Sequence, residues 1–119
     1  MTTAVFEKLP EKGVLHMDVR GHTGFAELGK DPVCAGASIL AMTAVQCLMM
    51  MRDKGLLKKK PRVVVRNGHV EITAKPLETA FSEAEHILWM AQVGMYMLEE
   101  AYPGSVKLIP FETARADSI

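Results

Sequence analysis

Gly21-His22 and Asp31-Pro32-Val33-Cys34 set a histidine and a cysteine twelve positions apart near the start of this chain. The surroundings of Cys34 give it chemistry. Asp31 is a favoured helix N-cap, and Pro32 suits the first helical position, where no amide hydrogen is required. Cys34 then falls at the third helical position, among unpaired amides and at the positive end of the macrodipole. Such a site lowers a thiol pKa from about 8.5 to roughly 3.5–7.5. A histidine within reach would complete a nucleophile–base pair, so the pattern points to a cysteine hydrolase. The plainer alternative makes His22 a surface residue after a strand and Cys34 a small buried hydrophobe.

Neighbouring residues refine the pattern. Ser38 lies one turn beyond Cys34 on the same helix face, so its hydroxyl can serve Cys34, His22 or a substrate. It can equally bond back to the carbonyl of Cys34. Asp31 is expected to be engaged as the cap, with orientation of His22 a secondary role. First-turn amides at or beside Cys34 are the expected oxyanion donors. The segment Thr23 to Lys30 has no steady period and carries Gly24 and Gly29 as pivots, which predicts a loop acting as a lid. Phe25, Leu28, Ala35 and Gly36 are candidates for an apolar substrate pocket.

The elements that must hold these residues follow from periodicity. Val5 to Lys8, a turn at Pro10 to Gly13, and Val14 to Arg20 read as a hairpin; Leu15, Met17 and Val19 alternate with His16, Asp18 and Arg20. A helix is predicted over 32–53, stopped at Gly55. It is apolar on most sides, which predicts burial on most sides, by the fold or by a second subunit. Arg62 to Arg66, Asn67-Gly68 and His69 to Thr73 form a second hairpin, since Asn-Gly favours a tight type I′ turn. Ser82-Glu83-Ala84-Glu85 reads as a capping box opening a second helix, with Ala84, Ile87, Leu88, Ala91, Met95 and Leu98 at helical spacing. Pro103-Gly104 ends it, Val106 to Ile109 is a last strand, and the tail after Phe111 frays. The order β-β-α-β-β-α-β is an α+β sandwich, two helices packed with a mixed or antiparallel sheet.

Composition bounds the function. The 119 residues form one expected domain, 1–119, with 49% hydrophobic and 24% charged residues. Fourteen basic side chains balance fourteen acidic ones, so no overall field attracts nucleic acid or a membrane surface. Lys58-Lys59-Lys60 reads as a solvated helix end with cations at the negative pole of the dipole. Two cysteines make no disulfide framework; at about 100° per residue, Cys34 and Cys47 point roughly 140° apart on one helix. With no secretory signal and no run of about 20 apolar residues, the expected setting is cytoplasmic and reducing. His22, Cys34 and Cys47 lack the paired spacings of a zinc site, and no metal or cofactor is expected. The nine methionines read as adaptable core filler. His16, His69 and His86 have no partner that the sequence can place.

The stretch Gly21-His22-Thr23-Gly24-Phe25-Ala26, followed by Gly29-Lys30-Asp31-Pro32-Val33-Cys34-Ala35-Gly36-Ala37-Ser38, resembles the signature of the ribosomal-processing cysteine proteases, the Prp family. That signature has a Gly-His-Ala opening, a Gly-Lys-Asp approach and a Val-Cys-Ala-x-x-Ser helix start. The flanking hairpins and capped helix extend the likeness over nearly the whole chain. The chain departs at Thr23, where Ala is usual, and at Pro32, where a larger residue is common. The resemblance implies a cofactor-free endopeptidase, a cytoplasmic homodimer with His22 and Cys34 as its catalytic pair. It implies removal of an N-terminal extension from ribosomal large-subunit protein twenty-seven during ribosome assembly, by cleavage after aromatic residues. The rival readings are a ribosome-associated binding factor with a structural or redox-sensing cysteine, and a small-molecule thiol hydrolase.

Overall fold

The computed structural model describes residues 1–22, 24 and 30–111. Strand β1 (Thr2–Leu9) turns through a short 3-10 segment, Pro10–Lys12, into β2 (Val14–Arg20). Helix α1 (Pro32–Asp53) follows, then β3 (Arg62–Arg66), β4 (His69–Ala74), helix α2 (Phe81–Ala101) and β5 (Val106–Ile109). The strands form one mixed sheet in the order β3-β4-β2-β1-β5. All neighbours are antiparallel except β1 and β5, which run parallel. The α+β expectation holds in this arrangement, with both helices layered on one sheet face.

Alternation decides that face. Ala4 and Phe6 of β1, Leu15, Met17 and Val19 of β2, and Val70, Ile72 and Ala74 of β4 are buried. They meet Val33, Ala37, Ala41, Ala44, Val45, Leu48 and Met51 of α1, and Ala84, Leu88, Ala91 and Met95 of α2. Burying a Leu, Phe or Met side chain contributes about 1.5–3 kcal/mol, so this single apolar layer dominates the fold's stability. Because β2 lies at the centre, its last residues carry the chain into the site from the most constrained part of the sheet.

Helix α1 has the predicted bounds, and its two ends show why. Asp31 Oδ1 accepts the amides of Val33 and Cys34 at 2.9 and 3.0 Å. At the other end Gly55, with φ +75°, donates to the Arg52 carbonyl while Leu56 donates to that of Met51. This is a Schellman closure, and the left-handed residue within it favours glycine. Lys58, Lys59 and Lys60 lie beyond that closure and are exposed. They are therefore solvated, but not at the helix pole; only Arg52 lies in the last turn.

Four expectations need correction. The first strand begins at Thr2 rather than Val5, because pairing with distant β5 extends it, which local periodicity does not register. The Ser82 capping box does not form: a 3-10 turn over Glu78–Ala80 leads into α2 at Phe81, and Ala80 is the N-cap without a side-chain cap. Ser82 is already helical, and its carbonyl accepts from His86 Nδ1. The fold itself does not cover helix α1 on most sides, since Ile39 and Met50 are exposed on the side away from the sheet, which leaves the second-subunit alternative. By length and composition α1 is also apolar enough to cross a membrane, contrary to the sequence expectation. Its buried stripe packs as the core helix of this sheet. The tail beyond Phe111 lies outside the described residues.

Candidate active site

The site forms where β2 ends beside the start of α1. Gly21 leaves the strand with φ +96°, and a Cβ there would lie 2.6 Å from the Met1 carbonyl oxygen. Only glycine allows that approach. The turn delivers His22, whose Nδ1 lies 3.9 Å from Cys34 Sγ. Both side chains are half-buried, and Cys34 is a free thiol, as is Cys47. This separation is long for a hydrogen bond but within the looser range seen in unliganded nucleophile–base pairs.

The pair opens onto a groove of about 470 Å³ between the first turns of α1 and the β3–β4 turn. Ala37, Ala41, Met42, Val65 and Val70 give it an apolar wall, while Asn67, Gly68 and His69 form the opposite rim. Ala35 lines it as expected. Gly36 does not: its open side faces Leu98 of α2 at 3.7 Å, so it serves helix packing. Thr23, Phe25, Leu28 and Gly29 lie outside the described residues. Gly24 has φ +70°, a left-handed conformation that favours glycine.

Asp31 is buried, and its Oδ1 is committed to the first turn of α1. The cap expectation holds, and it displaces another. Val33 and Cys34 donate their amides to Asp31 Oδ1, and Ala35 donates to the Asp31 carbonyl at 3.0 Å. The first-turn amides are therefore already engaged rather than open to an oxyanion. Ser38 lines the groove and is exposed, with no hydrogen bond to Cys34 or to a carbonyl among the described residues. Its hydroxyl is open to a bound molecule.

A second polar cluster escaped the sequence reading. On the sheet face opposite the helices, His16 lies between Glu7 and Glu71 at 2.9 and 2.7 Å. His69 reaches Glu71 at 3.1 Å and Asp18 at 3.3 Å, while Arg20 binds both oxygens of Asp18 at 3.0 Å. The alternation of His16, Asp18 and Arg20 placed them on one face, but only the β2–β4 register brings Glu71 and His69 opposite. Burial works against the charged imidazole of His16, yet the bonds to Glu71 and Glu7 outweigh it and raise its pKa above the ordinary value. His16, Asp18 and Glu71 offer atoms of metal-ligating type within 4.8 Å of one another. Those groups are already engaged with each other, Glu7, His69 and Arg20, which makes the cluster a charge-compensated cross-strand network.

The sequence profile of the family described as cysteine protease Prp matches residues 1–107. The chain belongs to the Prp family of cysteine proteases. A ribosomal processing cysteine protease Prp of Staphylococcus aureus (strain Mu50 / ATCC 700699) is 31% identical over 90 residues, covering 74% of this chain and 78% of that protein. The Bacillus subtilis (strain 168) protein of the same description is 35% identical over 51 residues, 43% of this chain and 46% of its own. Among solved structures, the S. aureus Prp with a covalently linked product peptide superposes with a TM-score of 0.69 at 27% identity. That match covers 94% of this chain and all of the other. A second S. aureus Prp structure, holding a substrate peptide, gives a TM-score of 0.66. Prp membership makes the chain a hydrolase of the cysteine-protease class, and its α+β sheet is the Prp fold.

Proposed function

We propose that the chain is an endopeptidase whose catalytic pair is His22 and Cys34, and that its substrate is the N-terminal extension of ribosomal large-subunit protein twenty-seven. The observation that carries the reading is the approach of His22 Nδ1 to a half-buried, free Cys34 thiol at a helix start, facing an open groove. His22 takes the thiol proton, and the thiolate forms a bond to the scissile carbonyl carbon. The imidazolium then gives that proton to the leaving amine as the C–N bond breaks. Water, deprotonated by the same imidazole, releases the acyl group and restores the thiol. The macrodipole of α1 favours the negative sulfur, while the Cys34 amide reaches an oxyanion only in competition with Asp31 Oδ1.

The apolar wall of the groove suits an aromatic side chain beside the scissile bond, and an extended peptide leaves alternate side chains free for such a pocket. The residues from Thr23 to Lys30 act as the lid, with Thr23, Gly24, Phe25 and Gly29 in contact with substrate. Ser38 supports the bound peptide, Asp31 holds the helix start, and Gly21 sets the turn. The working unit is a single domain, 1–119, assembled as a cytoplasmic homodimer without cofactor or direct nucleic-acid contact.

The test is cleavage of a peptide carrying that extension. Cys34→Ala should abolish cleavage with a melting temperature near wild type, whereas Cys47→Ala should keep most activity and lose some stability through a small cavity. Equal loss in both variants would end the assignment. Replacing the aromatic residues before the cut by alanine removes up to about 3 kcal/mol of apolar burial each, or roughly two orders of magnitude in kcat/KM. Cleavage indifferent to those aromatics would show that the substrate is another peptide. A structural cysteine in a binding factor would resist iodoacetamide at pH 6, where a catalytic thiolate reacts.

A further inference from the structure

We infer that Gly68, in the turn between β3 and β4, is a positioning residue for the catalytic histidine. The inference rests on the His22–Cys34 reading and adds to it the means by which the imidazole is aimed. Among the described residues, Cys34 Sγ is the hydrogen-bond-range partner of the His22 ring, and no carboxylate or amide side chain orients it. The other side of the ring meets Gly68. A Cβ built on Gly68 would lie 3.2 Å from His22 Nε2, 3.5 Å from Cε1 and 3.9 Å from Cδ2.

Those three atoms are consecutive in the ring and centre on Nε2, across the ring from Nδ1, the atom that faces the thiol. Gly68 thus backs the imidazole at the edge opposite its catalytic nitrogen. The same residue fixes the backbone just before it, since the Gly21 amide donates to the Gly68 carbonyl at 2.8 Å. This bond continues the β2–β4 ladder one step past its last pair, Arg20 with His69. One turn residue therefore holds the approach to His22 through its carbonyl and leaves room for the ring by lacking a Cβ. A side chain there presses on Nε2 and turns Nδ1 away from Sγ.

Gly68 also has φ +76°, so two demands fall on it: a left-handed backbone and an absent Cβ. Gly55 separates them. Its φ is +75°, and a Cβ there would meet nothing within 4 Å. Asparagine tolerates the left-handed region best among residues with a Cβ. Gly55→Asn and Gly68→Asn thus impose similar backbone strain, and only the second crowds His22.

The experiment compares the two variants with wild type by peptide cleavage, melting temperature, and the pH dependence of Cys34 alkylation by iodoacetamide in a Cys47→Ser background. Gly68→Asn should lower kcat at least tenfold with KM within about threefold, and should move the alkylation profile to higher pH as the imidazole turns away from Sγ. Gly55→Asn should match wild type in both. Gly68→Asn within twofold of wild type with an unmoved alkylation profile would overturn the inference while leaving the dyad standing. Activity surviving Cys34→Ala would instead remove the dyad. If Gly68→Asn does not fold, the unaltered protein decides: a nuclear Overhauser contact between Gly68 Hα and His22 Hε1 is expected, and its absence overturns the inference.

Discussion

At the scale of single residues, polar side chains gather in two places with different consequences. At the groove, Cys34 takes its character from Asp31, which ties down the first turn, and from the imidazole opposite. On the far sheet face, hydrogen bonds to Glu71 and Glu7 raise the pKa of His16 above 6.5 against the opposing effect of burial. The bond to His16 leads in lowering Glu71 below 4.5, with His69 and Arg20 adding to it. A raised histidine stabilises the fold fully below its unfolded pKa of about 6.5, and the contribution fades as pH rises through the folded value. A lowered glutamate stabilises above about 4.5, and that contribution fades as pH falls through its folded value. The network therefore contributes most between those limits. Melting curves recorded against pH should show His16→Asn losing more stability at pH 5.5 than at pH 8.5. Parallel curves for the variant and wild type would show that His16 is not coupled to folding.

At the scale of elements, the two helices meet at a point fixed by the lack of a side chain. A Cβ on Gly94 of α2 would lie 2.5 Å from Leu40 Cδ2 and 2.6 Å from Cδ1 of α1. Alanine in a helix interior is normally favoured over glycine by about 1 kcal/mol. Overpacking typically costs about 1–3 kcal/mol, so Gly94→Ala should lower the melting temperature by several degrees. A rise would mean that Leu40 finds another rotamer without moving the helices. Much of this layer was legible in advance: Asp31-Pro32 and Gly55 marked the ends of α1, and Asn67-Gly68 marked the hairpin. Those signals are local, carried by backbone chemistry within a few residues. What stayed hidden was long-range. Ser82-Glu83-Ala84-Glu85 satisfied the pattern of a cap while α2 had already begun at Phe81. The backing of His22 by Gly68 depended on two turns, over forty residues apart in sequence, meeting in space. Gly36 looked like part of a pocket until the α1–α2 crossing turned it towards Leu98.

At the scale of the whole molecule, one sheet face is covered by helices, and the helices in turn leave large apolar groups in water. Ile39 and Met90 are 63% and 67% exposed, Met97 is 63% exposed, and Met50, Trp89 and Tyr96 are each about half exposed. Large apolar side chains exposed on both helices are a feature of surfaces that dock a partner. It motivates the dimer of the proposed function, with the Cys47 to Met51 side of α1 or the outer side of α2 as the contact. Light scattering at micromolar concentration should give twice the chain mass, and Met90→Lys or Met97→Lys should shift it towards one chain mass. A monomeric wild type would remove the dimer without touching the proposed pairing of His22 with Cys34.

The parallel pairing of β1 with β5 joins residues 2–5 to residues 106–109, the longest-range ladder in the fold. Closing a loop of that length costs conformational entropy before any hydrogen bond is gained. Yet Gly21, His22, Cys34 and the β3–β4 turn all lie within the first 74 residues, and the register that joins them, β2 with β4, spans a shorter loop. On loop length, the β2–β4 ladder beside the groove should close before β1 pairs with β5. A lesion in β5 should shorten the lifetime of the native state and, through Met1 and Thr2, loosen the turn that presents His22.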